Sequence, residues 1–220
     1  MPERPSEVIN SANIVLVGSF NPGIFQPQWF VRQRLMSEEQ GHDAKIRLIA
    51  PGFSSFETDS FVIHVTEQQF IAASKPEASP APLRDLVTGT FAILEHTPVT
   101  AMGLNCQRHV PMETEAEWHE IGDKLAPKEC WNAVLEGRPG LLSMTILTNK
   151  AEPKGAQFRI KVEPSQVIRF GVYFETNEHY PDTEPDSLRR LMVVLNERWE
   201  ESQNEASRII KHILTWAKGS

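Results

Sequence analysis

The chain of 220 residues carries 22 lysines and arginines against 29 aspartates and glutamates, a formal net charge of −7, and 40% of its residues are hydrophobic. These proportions are typical of a soluble globular protein and exclude a disordered, collagen-like or low-complexity chain. The acidic balance disfavours nonspecific nucleic-acid binding by the whole surface, while a local basic patch stays open. At this length we expect one shared hydrophobic core.

The cysteine content and the lack of long apolar runs indicate the cellular setting. Cys106 and Cys130 are too few for a disulfide framework or, alone, for a zinc site. No apolar run approaches the roughly 20 residues that span a bilayer, and no basic stretch followed by an apolar run marks a signal peptide. We therefore expect a reduced, cytoplasmic protein that does not associate with membranes.

The first half of the chain alternates short apolar runs with turn residues. Pro27 suits the first turn of a helix, and the alternation around Ile63 is typical of a strand. We expect a flexible N-terminus over residues 1–12, a strand at 14–17, a helix at 27–39, a strand at 44–50, a hairpin at 61–73, a loop at 75–82 and a helix at 83–95.

The second half follows the same order of elements. Thr114 and Glu117 have the spacing of a capping box before a helix. We expect strands at 99–106, 141–148, 158–163 and 167–175, helices after Thr114 and around 131–135, and a long helix at 186–217. Apolar residues at helical spacing along this last helix, among them Leu191, Leu195, Trp199 and Ile210, predict that it faces the core.

This order predicts an α+β fold built from two halves, residues 13–97 and 98–218, around a single core. Each half is expected to contain a strand, a helix, three strands and a helix, in that order. The two halves share this order of elements but show no similarity residue by residue. The simplest arrangement is one mostly antiparallel sheet with helices on one face and a long C-terminal helix. Such an arrangement is similar to a saddle with a pseudo-twofold axis or to a helix-grip fold.

Several short phrases, taken in order, resemble an uncharacterised, sporadically distributed family of bacterial and phage-associated proteins found near mobile and defence genes. They are Asn21-Pro22 with Trp29-Phe30, His96-Thr97-Pro98-Val99, Gly103-Leu104-Asn105, Ala126-Pro127 with Trp131, Glu163-Pro164-Ser165 and Asn177-x-His179. The resemblance implies a prokaryotic, cytoplasmic setting and a role in a multi-gene system, for example in antiviral defence. It implies no catalytic residues.

The densest polar cluster follows a predicted strand and contains Asn105, Cys106 and His109. Cys106 could serve as a nucleophile with His109 as its base. However, residues three apart in a strand point to opposite faces, so the pair would meet only if the strand ended between them. A buried cysteine beside a histidine at the rim of the sheet is the favoured interpretation.

The sequence predicts neither a metal nor a cofactor. His119 and Glu120 are adjacent and diverge on a helix, and no HExxH or CxxC spacing occurs. The acidic residues near Asp186 are explained by the start of the last helix, where negative charge is favoured. Glycine-rich phosphate-binding loops are also missing from the sequence.

Basic residues recur on the predicted strands and would share a free sheet face. We take five of them as a candidate interface: Lys45, Arg47, Arg159, Lys161 and Arg169. The function that follows is a non-enzymatic protein-binding subunit or adaptor, whose partner is another protein subunit or a second copy in a homo-oligomer. Two alternatives remain: a nucleic-acid-binding saddle, and an enzyme that uses Cys106 and His109.

Overall fold

The computed structural model describes residues 9–76 and 78–218. The strands are β1 (Ile9–Gly18), β2 (Lys45–Ala50), β3 (Phe53–Glu57), β4 (Phe61–Thr66), β5 (Gln69–Ser74), β6 (Val99–Pro111), β7 (Met144–Asn149), β8 (Gln157–Pro164) and β9 (Gly171–Pro181). The helices are α1 (Pro27–Arg32), α2 (Glu38–Asp43), α3 (Ala81–Ile93), α4 (Glu115–Leu125), α5 (Glu129–Asn132) and α6 (Ser187–Lys218).

The nine strands form one antiparallel sheet in the order β2-β3-β4-β5-β1-β6-β9-β8-β7. The prediction of an α+β fold with an antiparallel sheet and a long C-terminal helix is therefore confirmed. In the first half, four strands rather than three follow the first helices, because β3 pairs between β2 and β4. β2 and β7 form the two outer edges of the sheet.

One face of the sheet, here called the core face, supplies the strand residues of the hydrophobic core. Leu16 on β1, Phe70 on β5 and Met102 on β6 are fully buried there, together with residues of α3 and α6. The intervening residues of the same strands point to the opposite face, since side chains alternate along a strand. We call this opposite side the open face, and most of its side chains are half-buried or exposed.

The last helix, α6, joins the two halves of the core. Leu195 and Trp199 pack in the cluster formed by β1, β4, β5, β6 and α3, whereas Ile210 packs in a second cluster with residues of β8, β9 and α4. The prediction that Leu191, Leu195, Trp199 and Ile210 are core residues is confirmed, because all four are buried.

Several predicted boundaries differ from the structure. The helix expected at 27–39 is two helices, because Arg34 has a positive φ of 59° and Ser37 caps the start of α2 in a capping box. β1 already begins at Ile9, so part of the segment expected to be flexible is strand, while residues 1–8 lie outside the described residues. Within the described residues, no helix is long and apolar enough to cross a membrane.

Candidate functional site

A ladder of asparagines crosses the middle of the open face. Asn177 Nδ2 donates to Asn105 Oδ1 at 2.6 Å, and Asn105 Nδ2 donates to Asn13 Oδ1 at 2.6 Å. Arg159 extends the row on β8 by donating to Asn177 Oδ1 at 3.1 Å. These residues face one another in register across β1, β6, β9 and β8. The centre of the open face is therefore an ordered polar surface.

The predicted polar cluster is divided between the two faces. Cys106 lies on the core face with its Sγ 4.0 Å from Ser202 Oγ, and burial raises the pKa of its thiol. On the open face, His109 Nδ1 is 2.8 Å from Ser165 Oγ, and its ring centroid is 4.7 Å from that of Tyr173. Cys106 and His109 therefore form no nucleophile–base pair in this structure.

The five basic residues predicted as one interface do not form one patch, which corrects that expectation, although Lys45, Arg159 and Lys161 all lie on the open face. Lys45 and Arg47 lie on β2, whereas Arg159 and Lys161 lie on β8. Seven strand spacings of about 4.8 Å separate these two strands, or about 34 Å along the sheet. Arg169 is not on a strand, because Ser165 Oγ accepts hydrogen bonds from the backbone of a turn that runs to Gly171.

Most of these basic side chains already have partners. Arg47 pairs with Glu57 on the neighbouring strand, and Lys161 Nζ is 2.8 Å from Glu163 Oε1. The Arg169 guanidinium lies 4.7 Å from the ring centroid of Phe170. This pairing gives the open face alternating charges rather than a continuous basic strip.

The two outer edges of the sheet differ in how they are protected. Exposed edge strands offer unpaired backbone groups, and charged side chains and β-bulges protect them from pairing with other chains. β2 has both devices: Lys45, Arg47, and a register shift between Ile46 and Leu48. β7 lacks the charge, because residues 141–149 contain no charged residue and no proline.

The β7 edge also exposes apolar side chains. Ile146 and Leu147 point to opposite faces and are 52% and 54% exposed. The segment that precedes β7 in the sequence also exposes apolar side chains. Four of them are between 50% and 83% exposed: Trp131, Val134, Leu135 and Leu142. Exposed apolar residues on and near an edge strand are a feature that interaction sites often have. Sequence periodicity missed it, because the same residues at helix or strand spacing also predict a core.

A pocket of about 570 Å³ lies beside β7 on the core face, under α6. We call it the edge pocket. One part is apolar and the other charged, and its main lining residues are Ile146, Thr148, Lys150, Phe158, Ile160, Arg198, Glu201, Glu205 and Ile209. Its volume is in the range of pockets that hold small ligands or side chains.

Behind the charged part of the edge pocket lies Glu178 of β9, whose side chain is 1% exposed. Lys150 Nζ donates to Glu178 Oε2 at 2.6 Å, Arg198 donates to it at 3.3 Å, and the Tyr180 hydroxyl also donates to it. Burial by itself raises the pKa of Glu178, but the hydrogen bonds from Lys150 and Tyr180 outweigh it and hold the pKa below its ordinary value. Among the residues that the structure describes, none hydrogen-bonds Glu178 Oε1.

No local pattern of residues predicts this network. Lys150 and Arg198 lie 28 and 20 residues from Glu178 along the chain, so no local spacing connects these charged residues. Buried ionised groups require partners, and here the partners come from a loop, a strand and a helix. In the part of the chain that the structure describes, no three His, Cys, Asp or Glu side chains are grouped to hold a metal.

Compared with known proteins, the chain matches no protein-family model and no curated sequence. The resemblance to a defence-associated bacterial family therefore stays a prediction.

Proposed function

We propose that the protein is a non-enzymatic protein-binding subunit or adaptor that binds its partner through the edge strand β7. The observation that carries this proposal is the contrast between the two edges of the sheet. Both edges expose apolar side chains to a similar extent, with Leu48 on β2 52% exposed and Leu147 on β7 54% exposed. The edges differ because β2 has the charges and the bulge that disfavour strand pairing, whereas β7 is uncharged. An edge left open in this way is suited to a strand from another chain.

Strand addition suits β7 for a geometric reason as well. Every strand pair in the sheet is antiparallel, so an added antiparallel strand continues the same hydrogen-bonding pattern. Arg159 and Lys161 lie one strand inward, opposite Leu147 and Thr145. They would form the polar rim of the interface on the open face, while Lys45 and Arg47, at the far edge, would not take part.

The proposal also includes the arrangement expected from the sequence, in which two halves related by a pseudo-twofold axis form a saddle. Its support is the strand order, in which β1 and β6 are central neighbours and each half returns to pair beside its own first strand. The role in a prokaryotic multi-gene system, as a cytoplasmic and defence-related component, rests on the family resemblance.

A pair of matched leucine variants tests this function. Leu147 on β7 and Leu48 on β2 lie on the open face and are 54% and 52% exposed. A lysine on an edge strand disfavours pairing. Leu147→Lys should abolish retention of the partner from a native lysate, whereas Leu48→Lys should leave it unchanged, with equal melting temperatures. If both variants retain the same proteins as the wild type, β7 is not the binding edge.

A further inference from the structure

The edge pocket lies where the side chains of an added strand would point. Met144, Ile146 and Thr148 are the core-face residues of β7, and the last two line the edge pocket. In a strand paired to β7, alternate side chains would lie beside these two residues, about 6.6 Å apart. If strand addition is the function, as proposed above, the edge pocket selects the partner's sequence.

One end of the edge pocket requires an apolar side chain. Ile146 is directly opposite Ile160 in register, and Ile209 of α6 lines the same pocket. Ile146 is 52% exposed, so a neighbouring apolar side chain would remove part of its surface from water.

The other end has an excess of negative charge. Glu152, Glu201 and Glu205 line it with Lys150 and Arg198, and Glu178 lies behind them. The two cations are already engaged, since both Lys150 and Arg198 lie within 3.4 Å of Glu178 and Glu205. Arg198 also pairs with Glu201, and Arg208 lies 3.9 Å from Glu205 Oε1 at the exposed side. Four carboxylates thus face three cations, which leaves an excess of one negative charge.

The register determines where each end lies along β7. Thr148 is opposite Phe158, which in turn is opposite Glu178, so the charged end lies beside Thr148. The apolar end lies beside Ile146. An antiparallel partner passes Thr148 before it passes Ile146. Its basic residue must therefore come first and its apolar residue two positions later.

We infer that the partner contributes an extended segment with the pattern basic–any–apolar, antiparallel to β7, whose lysine or arginine reaches Glu201 and Glu205 and whose apolar side chain packs on Ile146. A basic side chain supplies the charge complement that the excess of carboxylates lacks. The uncharged β7 contributes the backbone hydrogen bonds, and the edge pocket contributes the sequence preference.

Three labelled peptides test this pattern by fluorescence polarisation on the full chain: acetyl-Ser-Thr-Lys-Thr-Ile-Thr-Ser-amide, the same peptide with Glu in place of Lys, and the one with Lys and Ile exchanged. The first should bind roughly tenfold or more tightly than the other two, with the preference reduced by salt. Glu201→Gln should reduce the preference, and Glu197→Gln, on the exposed side of the same helix, should not.

The outcomes separate this inference from the proposed function. Equal affinity for the three peptides, or no binding of any, overturns the sequence pattern even if Leu147→Lys still abolishes retention of the partner. Concentration-dependent self-association in light scattering that Leu147→Lys abolishes would identify the occupant as a second copy, and it would also overturn the pattern. Unchanged retention by Leu147→Lys overturns the proposed function itself.

Discussion

Lys150 Nζ lies 2.6 Å from Glu178 Oε2, and this ion pair joins the loop after the edge strand β7 to the buried side of β9. The pair is nearly enclosed, because the Glu178 side chain is 1% exposed and that of Lys150 is 14% exposed. Arg198 of α6 binds the same carboxylate. The loop, the sheet and the long helix are thereby held together at the wall of the edge pocket.

Removing the charge of Glu178 should destabilise the fold. Glu178→Gln leaves Lys150 and Arg198 without their shared buried carboxylate, and we expect a loss of about 3–5 kcal/mol in the free energy of unfolding at neutral pH, the range for breaking a buried pair. Urea unfolding followed by circular dichroism measures it. A loss below about 1 kcal/mol would show that the network contributes little to stability.

The same carboxylate should make stability depend on pH in acid. The folded pKa of Glu178 is below its ordinary value, so its contribution is present above the unfolded pKa of about 4.3 and is lost as the pH falls through the folded pKa. The stability difference between wild type and Glu178→Gln should therefore shrink below about pH 4. A difference that stays constant down to pH 2 would contradict the lowered pKa.

The two cysteines should react very differently. Cys106 is 1% exposed and burial raises the pKa of its thiol, whereas Cys130 is exposed on α5. Because the thiolate is the reactive form, a thiol reagent at neutral pH should label one cysteine rapidly in the folded protein and two after unfolding. Cys130→Ser should remove the rapid phase. Rapid labelling of Cys106 in the native state would reopen the enzyme hypothesis.

The hydrogen bonds of the asparagine ladder should contribute to the free energy of unfolding, although the fold does not depend on them alone. Asn105→Ala removes one hydrogen bond to Asn13 and one from Asn177, which should cost about 1–3 kcal/mol in total. Asn10→Ala, at an exposed position of the neighbouring strand, is the control and should change the unfolding free energy by less than about 0.5 kcal/mol. Equal effects of the two variants would show that the ladder is not a stabilising unit.

The long helix α6 should tolerate the replacement of a side chain by alanine on its exposed face but not on its buried face. Leu195 is fully buried and Val193 is 52% exposed on the same turns of α6. Leu195→Ala should cost about 2–5 kcal/mol, and Val193→Ala less than about 0.5 kcal/mol. Thermal melting compares the two variants. A Leu195→Ala protein that melts like the wild type would remove α6 from the core.

Sequence patterns predicted the elements in which buried apolar positions and exposed polar positions alternate regularly. Phe158, Ile160 and Val162 mark β8, and the stripe through Leu195 marks α6, because each has one apolar face. β3 escaped prediction because it buries serines. Ser54 is accommodated in the core by donating a hydrogen bond to the Phe25 carbonyl at 2.6 Å, a long-range contact that no local pattern reveals.

The far half of β9 was missed for a similar reason. Its polar residues occur on both faces: Asn177 joins the ladder on the open face, and Glu178 joins the buried network on the core face. Where polar residues occupy both faces, hydropathy does not alternate along the strand. The sequence pattern therefore predicts that the strand ends at Glu175. The β7 edge was likewise hidden, since exposure of Ile146 and Leu147 depends on which strand is outermost, a property of the whole sheet.

Hydrogen–deuterium exchange of the purified complex tests the β7 interface most directly. In an edge strand every second N–H points away from the sheet, and an added strand protects those amides. With the partner retained by the wild-type chain bound, exchange should slow across Met144–Asn149 and stay unchanged across Lys45–Ala50, the opposite edge. Unchanged exchange in β7, with protection at β2 or on the open face instead, would contradict binding at the β7 edge.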